Sequence, residues 1–232
     1  MKILLPGSDQ QVKRLLDSVD VKDKSILILG SESVPVAFVL KEAGASRIEI
    51  IAEDYDSFIN SSLLLDESSG LTIKIMDFAN TDFKKESFDI IYAQGSLSSY
   101  ERKEVVKELK GLLKTKGILC NGEMVKLEDN VPTYIDDIFE SSGIDPLTVS
   151  KLKKYFTDRQ FNILLKENLS YTLKDYYSSS LENLGNAIDD LSEREKSYYK
   201  KLIKQIKHEA GTYLKHGADK FIGFYLLIME KI

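Results

Sequence analysis

The stretch SILILG at residues 25–30 constrains this chain more than any other: a short apolar run, a glycine, then VPVAFVLKEAG (34–44), which is apolar like a buried helix and stops at Gly44. The same exchange of periods then repeats. RIEIIAE (47–53) reads as a second strand, DSFINSSLLLDESS (56–69) as a helix, LTIKIMD (71–77) as a third strand and FDIIYAQG (88–95) as a fourth. ERKEVVKELKGLLKTKG (101–117) is amphipathic on the helical period and is expected to run to its terminal glycine, with ILCNGEMV (118–125) following as a fifth strand. Strands this apolar have no water-facing side, and helices of this length between them are the crossovers that parallel neighbours require. The expected fold class is therefore α/β: a parallel sheet covered on both faces, with right-handed connections and a ligand crevice at the carboxyl ends of the strands.

Beyond residue 130 the alternation stops. DPLTVSKLKKYFTDRQ (145–160) reads as a helix, FNILLKENLS (161–170) as a sixth strand, 172–215 as two or three helices, and FIGFYLLIMEKI (221–232) as a last, buried strand. A helical insertion thus falls before the last strand, within a cap-like elaboration at 131–217. No Pro/Gly/Ser-rich linker and no internal repeat interrupts the sequence, so one domain over 1–232 is expected.

Composition narrows the function classes. With 43% hydrophobic and 30% charged residues, 232 positions suffice for one core with an appendage. The net charge of -5 opposes the broad basic surface that nucleic acid requires, and leaves at most a local patch in YYKKLIKQIKH (198–208). No window approaches the roughly 18 consecutive apolar residues of a membrane span, and MKILLPGSDQQ has too short an apolar run for a secretory leader. A cytoplasmic protein is expected, without nucleic-acid or membrane partners. One cysteine, Cys120, and two histidines, His208 and His216, give no internal disulfide and no zinc-type ligand set, so no metal is expected. Cys120 lies in an expected core strand and reads as a small buried hydrophobe.

Four stretches, in order over residues 24–125, resemble the class I S-adenosylmethionine-dependent methyltransferases, and the resemblance continues more loosely to the C-terminus. In that family the first strand ends in acidic-x-Gly-x-Gly-x-Gly; ILGSESV keeps Gly30 and has Ile28 at the acidic position and Glu32 and Val34 at the other two glycines. IEIIAED ends in Glu53 and Asp54, matching the acidic residue that bonds the ribose hydroxyls of the cofactor. IMDF places Asp77 at the position that accepts from the adenine amino group, with Phe78 available to stack on the ring. The closest match runs from ESFDIIYAQG through the following helix, with a site loop at Gln94, Gly95 and Ser96. The resemblance implies a Rossmann-like sheet, S-adenosylmethionine as cofactor, and Gly30, Ser31, Glu53, Asp54, Asp77, Phe78, Gln94, Gly95 and Ser96 around it, with no assigned catalytic residue.

Physical chemistry supports the placements separately. A carboxylate at a strand end facing the crevice accepts two hydroxyl protons in a charge-assisted contact; Glu53 is the first candidate and Asp54 the second, against a merely solvated strand end. Asp77 also suits the cap of the turn that follows it. Gly30 either lets the backbone approach a ligand or simply makes the turn. Glu32 is compatible with a sulfonium and opposed to a pyrophosphate, and the loop lacks both G-x-G-x-x-G and the lysine of a phosphate loop. Pro35 near the first turn of the helix leaves free backbone N–H groups at the ligand end.

Methyl transfer asks chiefly for proximity, orientation and exclusion of water, so no fixed triad is expected. QGSLSS differs from the Asn-Pro-Pro-Tyr type associated with exocyclic or amide nitrogen, which favours a small-molecule acceptor beneath the 131–217 cap. There Tyr171, Tyr176, Tyr177, Tyr198, Tyr199 and Tyr213 are either a cage for a cationic or apolar acceptor or helix-packing residues. His208 is a general base or a solvent-facing side chain, and Lys200, Lys201, Lys204 and Lys207 read as a solvated face. The alternative function is a methyltransferase-like fold whose cofactor site is lost, serving as a binding or scaffold protein.

Overall fold

The computed structural model describes residues 3–62, 64–65 and 70–232. Strands β1 (Ser25–Leu29), β2 (Arg47–Ala52), β3 (Thr72–Ile75), β4 (Phe88–Gln94) and β5 (Leu113–Lys126) run parallel in the order β3-β2-β1-β4-β5. The two-residue β6 (Leu147–Thr148) pairs with the end of β5. Beyond β5 the sheet continues antiparallel through β8 (Ile222–Lys231) to β7 (Phe161–Asn168) at the edge. The order reverses direction between β1 and β4, which is where an open α/β sheet opens its ligand crevice.

The uniform apolarity of β1 follows from this position. Ile26 and Ile28 enter one core and Leu27 and Leu29 the other, all four fully buried. On the first face lie α1 (Gln10–Ser18), α2 (Val34–Glu42), α5 (Thr133–Ser141), α7 (Leu173–Asp190) and α9 (Lys200–Lys215). On the second lie α4 (Arg102–Leu112) and α6 (Val149–Thr157). Each such buried aliphatic side chain contributes about 1.5–3 kcal/mol relative to exposure, so the central strands hold the sheet more firmly than its edges do. The remaining helices are α3 (Tyr55–Ser62), beside β3, and the short α8 (Glu193–Tyr198) between α7 and α9.

Several boundaries differ from expectation. The helix expected over 101–117 ends at Leu112, because Leu113 pairs with Phe88 and starts β5 five residues early. Lys114 reaches Asp89 at 2.7 Å and Lys116 turns the chain at φ 61°, so tertiary pairing overrides a helical pattern that continues through Lys114. The expected helix over 145–160 is β6 followed by α6. In the expected helix over 56–69, α3 ends at Ser62, and 63 and 66–69 lie outside the described residues. Helices α1 and α5 were not anticipated. The last strand and the helices preceding it stand where the sequence places them, and no helix among the described residues is long and apolar enough to cross a membrane.

Candidate functional site

The carboxyl ends of β1, β2 and β4 open into one cavity of about 360 Å³, with the helices of the C-terminal half as its roof. Its floor begins at Gly30, where φ is +95° and the amide donates to Ile51 O at 2.9 Å, extending the ladder one residue past β1. A Cβ here would stand 3.3 Å from Ser96 Oγ, so the position needs glycine for conformation and for space together. Ser96 Oγ in turn donates to Leu29 O at 3.1 Å, tying the loop after β4 to the end of β1. Gly95, at φ +81°, meets nothing within 4 Å on the side a Cβ would occupy and presents bare backbone to the cavity.

Glu53 and Asp54 follow β2 and line the cavity as exposed residues. Glu53 Oε1 accepts from the Phe78 amide at 3.3 Å. Burial raises the Glu53 carboxyl above the usual carboxylate range; that amide lowers it, and the charges of Asp77, Glu101 and Asp54 raise it further. Glu53, Asp77 and Glu101 each bring a carboxylate oxygen within 4.8 Å of the others, the source of that repulsion. Phe78 is buried and lines the cavity. Asp77 lies outside the cavity wall, with Oδ1 accepting from the Ala79 amide at 2.7 Å and so capping its own turn.

Gln94 lines the cavity, but its amide is committed: Oε1 accepts from Tyr92 at 2.6 Å and Nε2 donates to Pro6 O and Ser8 O, both at 2.8 Å. The side chain thereby clamps the N-terminal segment over β4, and Leu5 and Pro6 become one wall. Of the first loop, Ser31 contributes backbone to a short 3-10 turn, its side chain lying outside the described residues. Val34 is fully buried in the core and does not enter the cavity, whereas Glu32 lines it, its carboxyl raised by burial.

The roof was visible in the sequence only as a class of residues. Tyr176 and Tyr177 reach the cavity from α7 and Glu209 from α9. Tyr177 stacks on Tyr213 with centroids 4.5 Å apart, and burial pushes its phenol well above the usual value. Tyr171, Tyr198 and Tyr199 are exposed, as are His208 and the lysines at 200, 201, 204 and 207. Met124 and Ile144 complete the wall from β5 and the turn after α5. Cys120 is fully buried and burial pushes its thiol up, which leaves it inert.

Comparison with known proteins bears on the fold that carries this site. Residues 33–121 match the family model of the methyltransferase domain. Among solved structures, a Galdieria sulphuraria protein provisionally assigned as a sarcosine dimethylglycine methyltransferase superposes with a TM-score of 0.77 at 14% identity, over 96% of this chain and 84% of that one. The [4+2]-cyclase SpnF gives 0.76 at 18% identity, over 96% and 80%. Geranyl diphosphate C-methyltransferase from Streptomyces coelicolor A3(2) gives 0.68 at 11% identity, over 97% and 77%. At these identities the likeness is one of fold, and the fold is the Rossmann-like one of the class I methyltransferases. No curated protein sequence gives a match.

Proposed function

We propose that this chain, a methyltransferase domain on the class I methyltransferase fold, transfers a methyl group from S-adenosylmethionine to a small-molecule acceptor. The observation that carries the reading is the meeting of Gly30, Glu53, Phe78, Gly95 and Ser96, from separate strand ends, on one cavity of about 360 Å³. The residues present fit the cofactor. Four carboxylates and, among the described residues, no Lys, Arg or His line the cavity, which suits a ligand whose sulfonium and ammonium outweigh its one carboxylate.

When bound, S-adenosylmethionine supplies an electrophilic methyl carbon attached to a good, neutral leaving group. Glu53, with Asp54 beside it, accepts from the ribose hydroxyls, and Phe78 meets the adenine. The backbone at Gly30, Ser31, Gly95 and Ser96 lines the path between the two loops, and Gln94 holds the wall that closes it. Tyr176, Tyr177 and Glu209 exclude water from above. Val34 packs into the core and the cavity stays open with Glu32 on its wall, which favours a cofactor-binding protein over a methyltransferase-like scaffold whose site is lost.

Titration calorimetry with S-adenosylmethionine and S-adenosylhomocysteine tests the reading. Both are expected to bind, more weakly than with a full glycine loop because Glu32 stands on the cavity where that loop has a glycine. No heat at millimolar ligand would overturn it.

A further inference from the structure

A second cavity, of about 670 Å³, lies between α7 and α9 and shares Glu32, Tyr176, Tyr177 and Glu209 with the first. Its far wall is largely apolar, built from Pro35, Leu184, Ala187, Ile206 and Ala210. The shared end is different in kind. Glu209 is oriented by two hydroxyls, Tyr177 donating to Oε1 at 2.9 Å and Ser142 to Oε2 at 2.8 Å, and by no cation among the described residues. These bonds fix the carboxylate and leave its charge unmatched. Glu32, exposed at the same junction, has no ion pair among the described residues. No Lys, Arg or His among the described residues lines either cavity.

An anionic head group at this junction would face Glu32 and Glu209 with no cation to offset them, so phosphate, diphosphate and carboxylate acceptors are opposed. An ammonium meets the reverse: two carboxylates, and the rings of Tyr176 and Tyr177, whose centroids lie 5.0 Å apart. The cofactor, with one net positive charge, cannot by itself balance the four carboxylates of the first cavity.

We propose that the second cavity is the acceptor site and that its ligand is an amine bearing an apolar chain, with nitrogen at the Glu32–Glu209 junction and chain between α7 and α9. This rests on the methyltransferase reading and adds the class of acceptor. It also gives Tyr176 and Tyr177 a use as the cation-facing part of the roof.

The test is calorimetry on the full chain saturated with S-adenosylhomocysteine, using octylamine, octanol and octanoate as probes of equal chain length. Octylamine is expected to bind at least tenfold more tightly than octanoate, with octanol between them. Glu209→Gln should weaken octylamine about tenfold, the scale of a charge-assisted hydrogen bond. Ala187→Phe, on the exposed side of the apolar wall, should weaken octylamine and octanol together. Octanoate binding as tightly as octylamine, or a Glu209→Gln protein with unchanged octylamine affinity, overturns the proposal. S-adenosylhomocysteine titrated alone reports separately on the methyltransferase reading, and the octylamine-to-octanoate ratio measured without it still decides the pocket.

Discussion

At the amino ends of β1, β4 and β5, Asp89 accepts from the Ser25 hydroxyl at 2.6 Å and stands 2.7 Å from Lys114 Nζ, and its carboxyl is held down to about 2. At the carboxyl ends of the same sheet, Glu32 and Glu53 have no cation partner among the described residues and both carboxyls are raised. The strand interiors side with the first pattern. Glu49 on β2 is paired with Arg47 at 2.9 Å and Lys74 at 3.0 Å and is lowered, although burial alone would raise it. The chain has 32 Lys and Arg against 37 Asp and Glu, so cations are not scarce; among the described residues, none lines the crevice. Where a carboxylate serves the fold it is matched internally, and where it faces the crevice its match is left to a ligand. The buried Glu49 and Glu123 follow the cost of a buried charge, whereas Glu32 and Glu53 are exposed and water meets that cost until a ligand binds.

The strongest way to break the comparison is to create an unmatched carboxylate inside the fold. Glu123 and Arg102 pair at 3.1 Å with side-chain exposures of 0% and 5%, and Asn121 donates to the other Glu123 oxygen at 2.7 Å. Burial pushes the Glu123 carboxyl up and Arg102 pulls it down. Arg102→Ala should cost about 3–5 kcal/mol of stability in urea denaturation, because it strands Glu123. An equally stable variant would mean that Glu123 takes up a proton at little cost, and that pairing is not what the interior requires. At the crevice end the effect should move from folding to binding. Glu53→Ala should leave stability within about 0.5 kcal/mol and weaken S-adenosylhomocysteine by about 1.5–3 kcal/mol, roughly tenfold or more. Unchanged affinity would pass the ribose to Asp54.

The same contrast explains what the sequence disclosed. Strands β1, β2, β4 and β8 were legible because a strand buried on both faces is apolar along most of its length, a signal that needs no partner to interpret. Gly30, Glu53, Phe78 and Gly95 were legible as strand-end residues, since position in a parallel sheet decides which way a residue faces. The start of β5 at Leu113 was not, because its pairing with Phe88 is set by a strand 25 residues earlier. Glu209 and the wall at Leu5 and Pro6 were equally hidden. They reach the site only through α9 packing beside α7 and through the committed amide of Gln94. Asp77 was legible twice over, as ligand contact and as cap, and its bond to Ala79 belongs to the second use.

At the amino end the comparison is sharpened by pH. Asp89, 25% exposed, has its carboxyl lowered from 3.8 to about 2; it is held there by Lys114 and Ser25 against burial. A lowered carboxyl contributes stability that is complete above its unfolded value and disappears as pH falls through its folded value. Asp89→Asn should therefore cost about 1–2 kcal/mol at pH 7 after allowance for solvent screening of Lys114. The gap between the two proteins should close between pH 4 and pH 2 in denaturation followed by circular dichroism. A gap that stays constant with pH would assign the loss to the Ser25 hydrogen bonds instead of the charge.

Glu32 gives the smallest effect and reverses the sign. Its carboxyl is raised by burial, so the fold prefers the protonated form: its contribution is present below the unfolded value of 4.5 and is lost as pH rises through the folded one. When ionised, Glu32 has no cation partner among the described residues, and Glu32→Gln removes that charge while keeping the shape. The substitution should leave stability unchanged or raise it by up to about 0.5 kcal/mol at pH 7, with no difference from the parent near pH 4. Octylamine affinity should fall several-fold in the same variant, less than in Glu209→Gln, because Glu32 lacks the hydroxyls that aim Glu209. Thermal unfolding at the two pH values and calorimetry with octylamine read the two quantities separately. A Glu32→Gln protein less stable than its parent at pH 7 would show that the chain does match this carboxylate. The division between the two ends of the sheet would then rest on Glu53 and Glu209 alone.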